Sequence, residues 1–336
     1  MINRQWRLAR RPVGAAAVTD FARVDSPADE APPAPGEIEV RTSLFLCAPT
    51  MRNWMDPPGA NLYPSVPLGA PMLALAGGCV LRSAHPDWPV GALLSCFGSW
   101  QDIVRLQPEQ AGAQRVPEGM SLVEALGQFG LNPLTAYFGL LRVGQPRAGE
   151  TLVVSGAAGS VGSVAAQIGK LQGCRVIGIA GGVEKCRWLM ESCGIDAAID
   201  YKAGPLPAAL DAACPEGIDI FFDNVGGATL DAAVDRMRKF GRIVLCGQIA
   251  GYDGAPMAGP RNMMRLIYGS IRMQGFLMSD HAAEVPAAIA DLQAWTAAGK
   301  LACRHDIRHG FDALPASFLS LFDGSNSGTL LVATDA

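Results

Sequence analysis

The residues best suited to chemistry lie in Val153-Val154-Ser155-Gly156-Ala157-Ala158-Gly159-Ser160-Val161-Gly162, a short apolar run that passes through glycines into a helical pattern. Such a turn can hold the pyrophosphate of a dinucleotide. Gly159 lets the backbone approach the phosphates, Gly162 lets the helix pack closely on the strand, and free N–H groups at the helix start face the anion. The spacing is not G-x-G-x-x-G, because Ala157 stands where its first glycine belongs. Taken alone, a turn of this kind can also be purely structural. In NAD sites the second strand ends in Asp or Glu, which takes the ribose 2′-OH. Here the strand ends Gly178-Ile179-Ala180-Gly181-Gly182, Lys185 and Arg187 follow, and Tyr201 comes after the third strand. Cations without a competing carboxylate suit a 2′-phosphate, so NADPH is preferred over NADH. The alternative for Lys185 and Arg187 is a solvated place on the first turns of a helix.

Cysteine and histidine offer a second chemistry, metal binding, which their spacing argues against. The nine cysteines contain no C-x-x-C pair, and His85, His281, His305 and His309 form no ligand-like group. His305 and His309 have i, i+4 spacing, but Ala302–Phe311 reads as strand and turn, so both are expected at the surface and Cys47 in a core. An odd count of thiols and no apolar leader in Met1–Val18 point to a reduced, cytoplasmic protein.

The elements that must position these residues change in texture along the 336-residue chain. Half of the residues are apolar (49%), 17% are charged and the net charge is −4, which suits a two-domain enzyme and argues against nucleic acid as a partner. Two uncharged stretches, Gly59–Leu81 and Thr151–Gly169, are broken by Pro and Gly and do not read as membrane spans. Residues 1–125 show short apolar runs separated by Pro and Gly and read as mostly β. From 126 to 299 strands and helices alternate: strands at Thr151–Val154, Arg175–Ile179, Ala197–Asp200, Ile218–Phe222 and Arg242–Cys246, with helices at Ser163–Leu171, Glu184–Cys193 and Ala228–Lys239. That alternation predicts an α/β fold with a doubly wound parallel sheet. Residues 300–336 return to short strand-like pieces and are expected to complete the N-terminal domain.

On specific motifs the chain resembles the zinc-independent medium-chain dehydrogenase/reductases. Within them it is similar to the leukotriene B4 12-hydroxydehydrogenase/prostaglandin reductase branch, which includes curcumin-reductase-like and alkenal double-bond reductases. The resemblance rests on Asn3-Arg4-Gln5, Asn132-Pro133-Leu134-Thr135-Ala136-Tyr137-Phe138-Gly139, Gly156–Gly162, Phe222-Asp223-Asn224-Val225-Gly226-Gly227, Arg272-Met273-Gln274-Gly275-Phe276 and Asn326–Val332. It implies a Rossmann-type domain beside a GroES-like, mostly β catalytic domain, a homodimer, and NADPH-dependent reduction of the C=C bond of an α,β-unsaturated ketone or aldehyde. Hydride would go to the β-carbon and leave an enolate oxygen in need of a donor.

Carried over residue by residue, the resemblance implies that Ala158, Gly159, Ser160 and Val161 hold the pyrophosphate, and Lys185 and Tyr201 the 2′-phosphate. Asn224 would sit by the ribose. Cys246, Gly247, Gln248, Ile249 and Tyr252 would line the nicotinamide half, and Phe276, Leu277, Met278 and Asn326 would close over it. Tyr252 matches the tyrosine beside the substrate carbonyl, as proton donor or as a cofactor contact only. The chain departs from the branch in two places. Ala48-Pro49-Thr50-Met51-Arg52 puts Thr50 where a substrate-holding tyrosine is usual, and Asn326-Ser327-Gly328-Thr329 lacks a usual lysine. Met51, Trp54 and Tyr63 join Thr50 as substrate-lining candidates because they fall in loops. Leu68-Gly69-Ala70 stands where zinc relatives have Gly-His-Glu. A quinone reductase and a non-catalytic NADPH-binding sensor are the rival readings.

Overall fold

The computed structural model describes residues 1–59, 63–252 and 259–334. Contacts divide the chain into two compact units: one built on Met1–Gln128 and His305–Ala336, with Tyr252, and one built on Phe129–Gly251 and the segment that ends at Arg304.

In the first unit β1 (Ile2–Leu8) and β2 (Phe21–Pro27) form an antiparallel pair. There follow β3 (Ile38–Leu46), β4 (Leu73–Ser83), β5 (Leu93–Ser99), β6 (Ile103–Leu106) and β7 (Gln114–Arg115). Strand β3 alternates apolar and polar residues at its start and then runs apolar through Leu44-Phe45-Leu46, as expected of a strand buried on both faces.

The second unit starts with α1 (Leu131–Phe138) and continues with β8 (Thr151–Ser155), α2 (Ser160–Leu171), β9 (Arg175–Ala180), α3 (Val183–Glu191), β10 (Ala197–Asp200), α4 (Leu206–Ala213), β11 (Ile218–Asp223), α5 (Gly227–Val234), β12 (Met237–Leu245), α6 (Met263–Gly269), β13 (Arg272–Gly275) and α7 (Val285–Ala297). Its six strands pair in the order β10-β9-β8-β11-β12-β13. Counted within the unit this is 3-2-1-4-5-6, the doubly wound order, whose switch point falls between the C-terminal ends of β8 and β11. All five residues of β8 are buried, as a central parallel strand requires.

The chain then returns to the first unit with β14 (His305–His309), α8 (Leu314–Asp323) and β15 (Thr329–Ala333). The larger sheet there runs β14-β15-β3-β4-β5-β7, with β6 also on β3. Trp100 is fully buried among Phe21 and Phe318, at centroid distances of 5.3 and 6.0 Å.

Two elements differ from the sequence expectation. The helix expected over Ala228–Lys239 stops at Val234, because Met237 is recruited as the buried parallel partner of Ile218. Pairing across the sheet outweighs local helix propensity there. The tail is not made only of strand pieces. Leu314, Phe318 and Leu321 recur at helical spacing and are buried along α8, a period-3.6 signal in a stretch read as strands. No helix among the described residues is long and apolar enough to cross a membrane.

Candidate cofactor and substrate site

The turn between β8 and α2 is built by glycine at three points. Gly156 adopts a left-handed φ of 58°, which closes the turn. A Cβ on Gly162 would lie 2.3 Å from the Gly156 carbonyl oxygen, so only glycine lets the helix settle on the strand end. Gly159 is the N-cap and has no side chain to accept from the first-turn amides. These amides have no partner inside the helix and lie at the positive end of its dipole. The Gly159 N–H itself donates to the Gly156 carbonyl at 3.0 Å. Gly159 therefore contributes open backbone, while Ala158, Ser160 and Val161 surround the uncapped helix start. An anionic pyrophosphate fits this cradle.

At the tip of β9, Gly181 lies beneath the Tyr201 ring, since a Cβ there would fall 2.9 Å from the phenol oxygen and 3.0 Å from Lys202 Cε. Lys202 Nζ stands 6.0 Å from the Tyr201 ring centroid. Sequence reasoning passed over this cation; its signal was its place directly after Tyr201. The Asp200 carboxylate lies close by, but it accepts the Gly182 and Lys202 amides at 2.8 and 3.0 Å. Those two backbone bonds hold it below the usual carboxylate range. Lys185 sits half-buried on α3, while Arg187 is paired with Glu184 at 2.8 Å on the exposed face.

The loops after β8, β11 and β12 are stitched together around Asp223. Asp223 is buried at the end of β11 and accepts from Ser155 Oγ at 2.7 Å and from the Val225 and Gly226 amides at 3.0 and 3.1 Å. Burial raises its carboxyl pKa, opposed by these hydrogen bonds. Asn224 donates from Nδ2 to the Ser155 carbonyl at 2.7 Å. The Cys246 and Gly247 amides donate to the Asp223 carbonyl at 2.9 and 3.0 Å, and Ile249 N donates to Asn224 O at 3.3 Å. A Cβ on Gly247 would meet Asn224 O at 3.3 Å, so glycine permits this approach. The Cys246 thiol is pushed up to about 12 by burial and then by Asp223, which keeps it protonated. The structure thus brings Asn224, Cys246, Gly247 and Ile249 together, with Gln248 between them on the same loop. Asp223 and Ser155, which organise the cluster, were missed; an acid directly after the apolar run Ile220–Phe222 was the available signal. After β13, the Phe276 ring packs where a Cβ on Gly139 would lie, 2.4 Å from its Cζ. Leu277 is 66% exposed and donates its amide to Asp280, and Met278 opens the next turn.

In the first unit, Thr50, Met51 and Trp54 lie on the 3-10 helix Pro49–Met55 rather than in an open loop. Met51 and Trp54 are buried in the core, with the Trp54 ring edge-on to Phe97 at 5.3 Å. Both are buried, so Thr50 and the partly exposed Tyr63 are what this group presents to solvent. Burial raises the Tyr63 phenol pKa, reinforced by Asp56 and by the neighbouring Tyr252 phenol. Asn326 precedes β15 and donates to the Gly328 carbonyl at 3.3 Å. Cys47 is a buried thiol pushed up to about 12 by desolvation. His305 is partly buried rather than exposed: its ring packs against Gly127, and burial lowers its pKa. Among the described residues no three His, Cys, Asp or Glu side chains converge as a metal ion would need.

Residues 4–114 match the N-terminal domain of oxidoreductases, and residues 160–294 match the family model described as zinc-binding dehydrogenase. The chain is 36% identical to the NADPH-dependent curcumin reductase of Escherichia coli, over 98% of this chain and 96% of that protein. It is 34% identical to bovine (Bos taurus) prostaglandin reductase 1, over 98% of each chain. The crystal structure of CurA from Vibrio vulnificus in complex with NADPH superposes with a TM-score of 0.92 at 37% identity, covering 99% of both chains. The two-unit architecture, the glycine turn and these full-length similarities together establish that the chain belongs to the zinc-independent medium-chain dehydrogenase/reductases, in the branch of the curcumin, prostaglandin and alkenal reductases.

Proposed function

We propose that this protein is an NADPH-dependent reductase of the C=C bond of α,β-unsaturated ketones and aldehydes. The observation that carries the reading is the uncapped N-terminus of α2 above a turn that requires glycine at 156 and 162, at the switch point of the 3-2-1-4-5-6 sheet. Ala158, Ser160 and Val161 take the pyrophosphate there. Lys185, Lys202 and the Tyr201 ring take the 2′-phosphate, and Asp200 stays committed to backbone amides. Asn224 with Cys246–Ile249 forms the wall for the ribose and nicotinamide, joined by Phe276, Leu277 and Met278. When bound, NADPH supplies the hydride.

The work of the protein is to orient the enone, exclude water and place a proton donor at the oxygen that becomes negative. Tyr252 is our donor, acting from its Oη. Tyr63, kept as a neutral phenol, stands near it. Thr50 replaces a larger tyrosine and leaves more room for the substrate. Residues 1–125 with 300–336 serve as the substrate domain and 126–299 as the nucleotide domain.

Following the NADPH absorbance band with a panel of enones, enals and quinones, each repeated with NADH, tests the reading. Rapid oxidation of NADPH with saturated carbonyl products supports it; turnover of quinones alone overturns it. Tyr252→Phe lowers enone turnover by about 10²-fold or more at unchanged NADPH affinity if its hydroxyl donates the proton. Unchanged turnover would make Tyr252 a cofactor contact only.

We further assign a homodimer. Strand β13 is the outer strand of the parallel sheet, and on the adjoining α6 Met263, Met264, Ile267 and Tyr268 are 51–78% exposed. A second copy suits this edge and apolar face. Light scattering on wild type and Ile267→Glu tests it, with a dimer expected only for the wild type. Nine free thiols suit a reducing, cytoplasmic setting.

A further inference from the structure

Asn132 is buried at the second position of α1, and its Nδ2 donates to Ser160 Oγ at 2.8 Å, on the first residue of α2. Ser160 is partly exposed. A serine hydroxyl has one hydrogen to donate and two lone pairs to accept with. The carboxamide of Asn132 occupies a lone pair, and among the described residues no protein acceptor takes the hydroxyl hydrogen. The hydrogen is therefore left to point away from Asn132. A neutral donor is what this position calls for. A carboxylate would draw the hydroxyl hydrogen back toward itself and repel an anion, while an apolar side chain would leave the rotor unset.

We infer that Asn132 is a positioning residue for cofactor binding: from α1 it fixes the Ser160 hydroxyl so that its hydrogen is presented to a pyrophosphate oxygen at the start of α2. The inference rests on the reading of that helix start as the pyrophosphate site. It also gives a chemical reason for asparagine in Asn132-Pro133-Leu134-Thr135, which the reaction itself does not use.

Calorimetric titration of the full-length protein with NADPH, and separately with adenosine 2′-monophosphate, tests it. The second ligand carries the 2′-phosphate but no pyrophosphate. Asn132→Leu is expected to weaken NADPH about tenfold and to leave adenosine 2′-monophosphate unchanged. Ser160→Ala should cause a similar loss, and the double variant should bind no more weakly than either single one, because both remove the same contact. Should Asn132→Leu fail to fold, Asn132→Asp keeps the shape and carries the same test, with a larger loss expected. An unchanged NADPH affinity in the Asn132 variant overturns the inference. So does an equal loss for both ligands, or a full additional loss in the Ser160→Ala background. A wild type that binds adenosine 2′-monophosphate but not NADPH, or neither ligand, overturns the reading of the helix start itself.

Discussion

Ser155 and Asp223 close neighbouring parallel strands of the nucleotide unit, and the Ser155 hydroxyl donates to the Asp223 carboxylate at 2.7 Å with both residues buried. One buried carboxylate thereby fixes the end of β8 and the loop after β11 at once. Asp223→Asn puts an amide nitrogen among groups that are all donors. We expect a loss of about 1–3 kcal/mol in stability, read by urea denaturation, accompanied by weaker NADPH binding. A variant as stable as wild type would remove Asp223 from this organising role.

Gly159 and Gly162 stand three residues apart in the same turn yet fail in different ways. A Cβ on Gly162 meets the Gly156 carbonyl at 2.3 Å and Ala157 Cα at 2.8 Å, so Gly162→Ala must displace backbone and should destabilise the fold by about 1–3 kcal/mol. On Gly159 the nearest atom is 3.2 Å away. Gly159→Ala should melt close to wild type but bind NADPH poorly, because the methyl group occupies the approach to the phosphates. Melting curves together with titrations separate the two.

Lys185 and Lys202 are both assigned to the 2′-phosphate. Lys185→Ala should weaken NADPH much more than NADH, by about 1–3 kcal/mol for a lost charge-assisted contact. Lys202→Ala should show the same selectivity with a smaller loss, since its ammonium is the more solvated. Equal losses for the two nucleotides would reject the assignment.

Glu39 is a buried carboxylate of the first unit, accepting from Arg82 Nε at 2.7 Å and Arg105 Nε at 3.0 Å. Burial alone would raise its carboxyl pKa, but the two guanidinium groups outweigh it and hold the carboxyl below its ordinary value. A carboxyl with a lowered folded-state pKa contributes its stabilisation in full above its unfolded value, and the contribution is lost as pH falls through the folded value. Glu39→Gln should therefore cost about 1–3 kcal/mol at pH 7, and the gap to wild type should narrow in acid. Denaturation at pH 7 and pH 3 reads both; a gap that widens in acid would reverse the assignment.

The local chemistry of the chain was written in its sequence. The strand–glycine–helix run Val153–Leu171, the alternation behind it and the missing acid at the end of β9 are local patterns, set by backbone freedom and apolar periodicity within one window. Asp223 and Ser155 are 68 residues apart in sequence, and their bond exists only because β8 and β11 pair across the switch point. Asn132 and Ser160 meet for the same kind of reason, with α1 packed against α2. Met51 and Trp54 looked like open-loop residues until a 3-10 helix turned them into the core, and Met237 left its helix to pair with Ile218. Residue type and spacing determined which groups are available for chemistry. Which of them are spent on packing, and which are held in place by a partner far along the chain, was decided by burial and strand pairing in the folded protein.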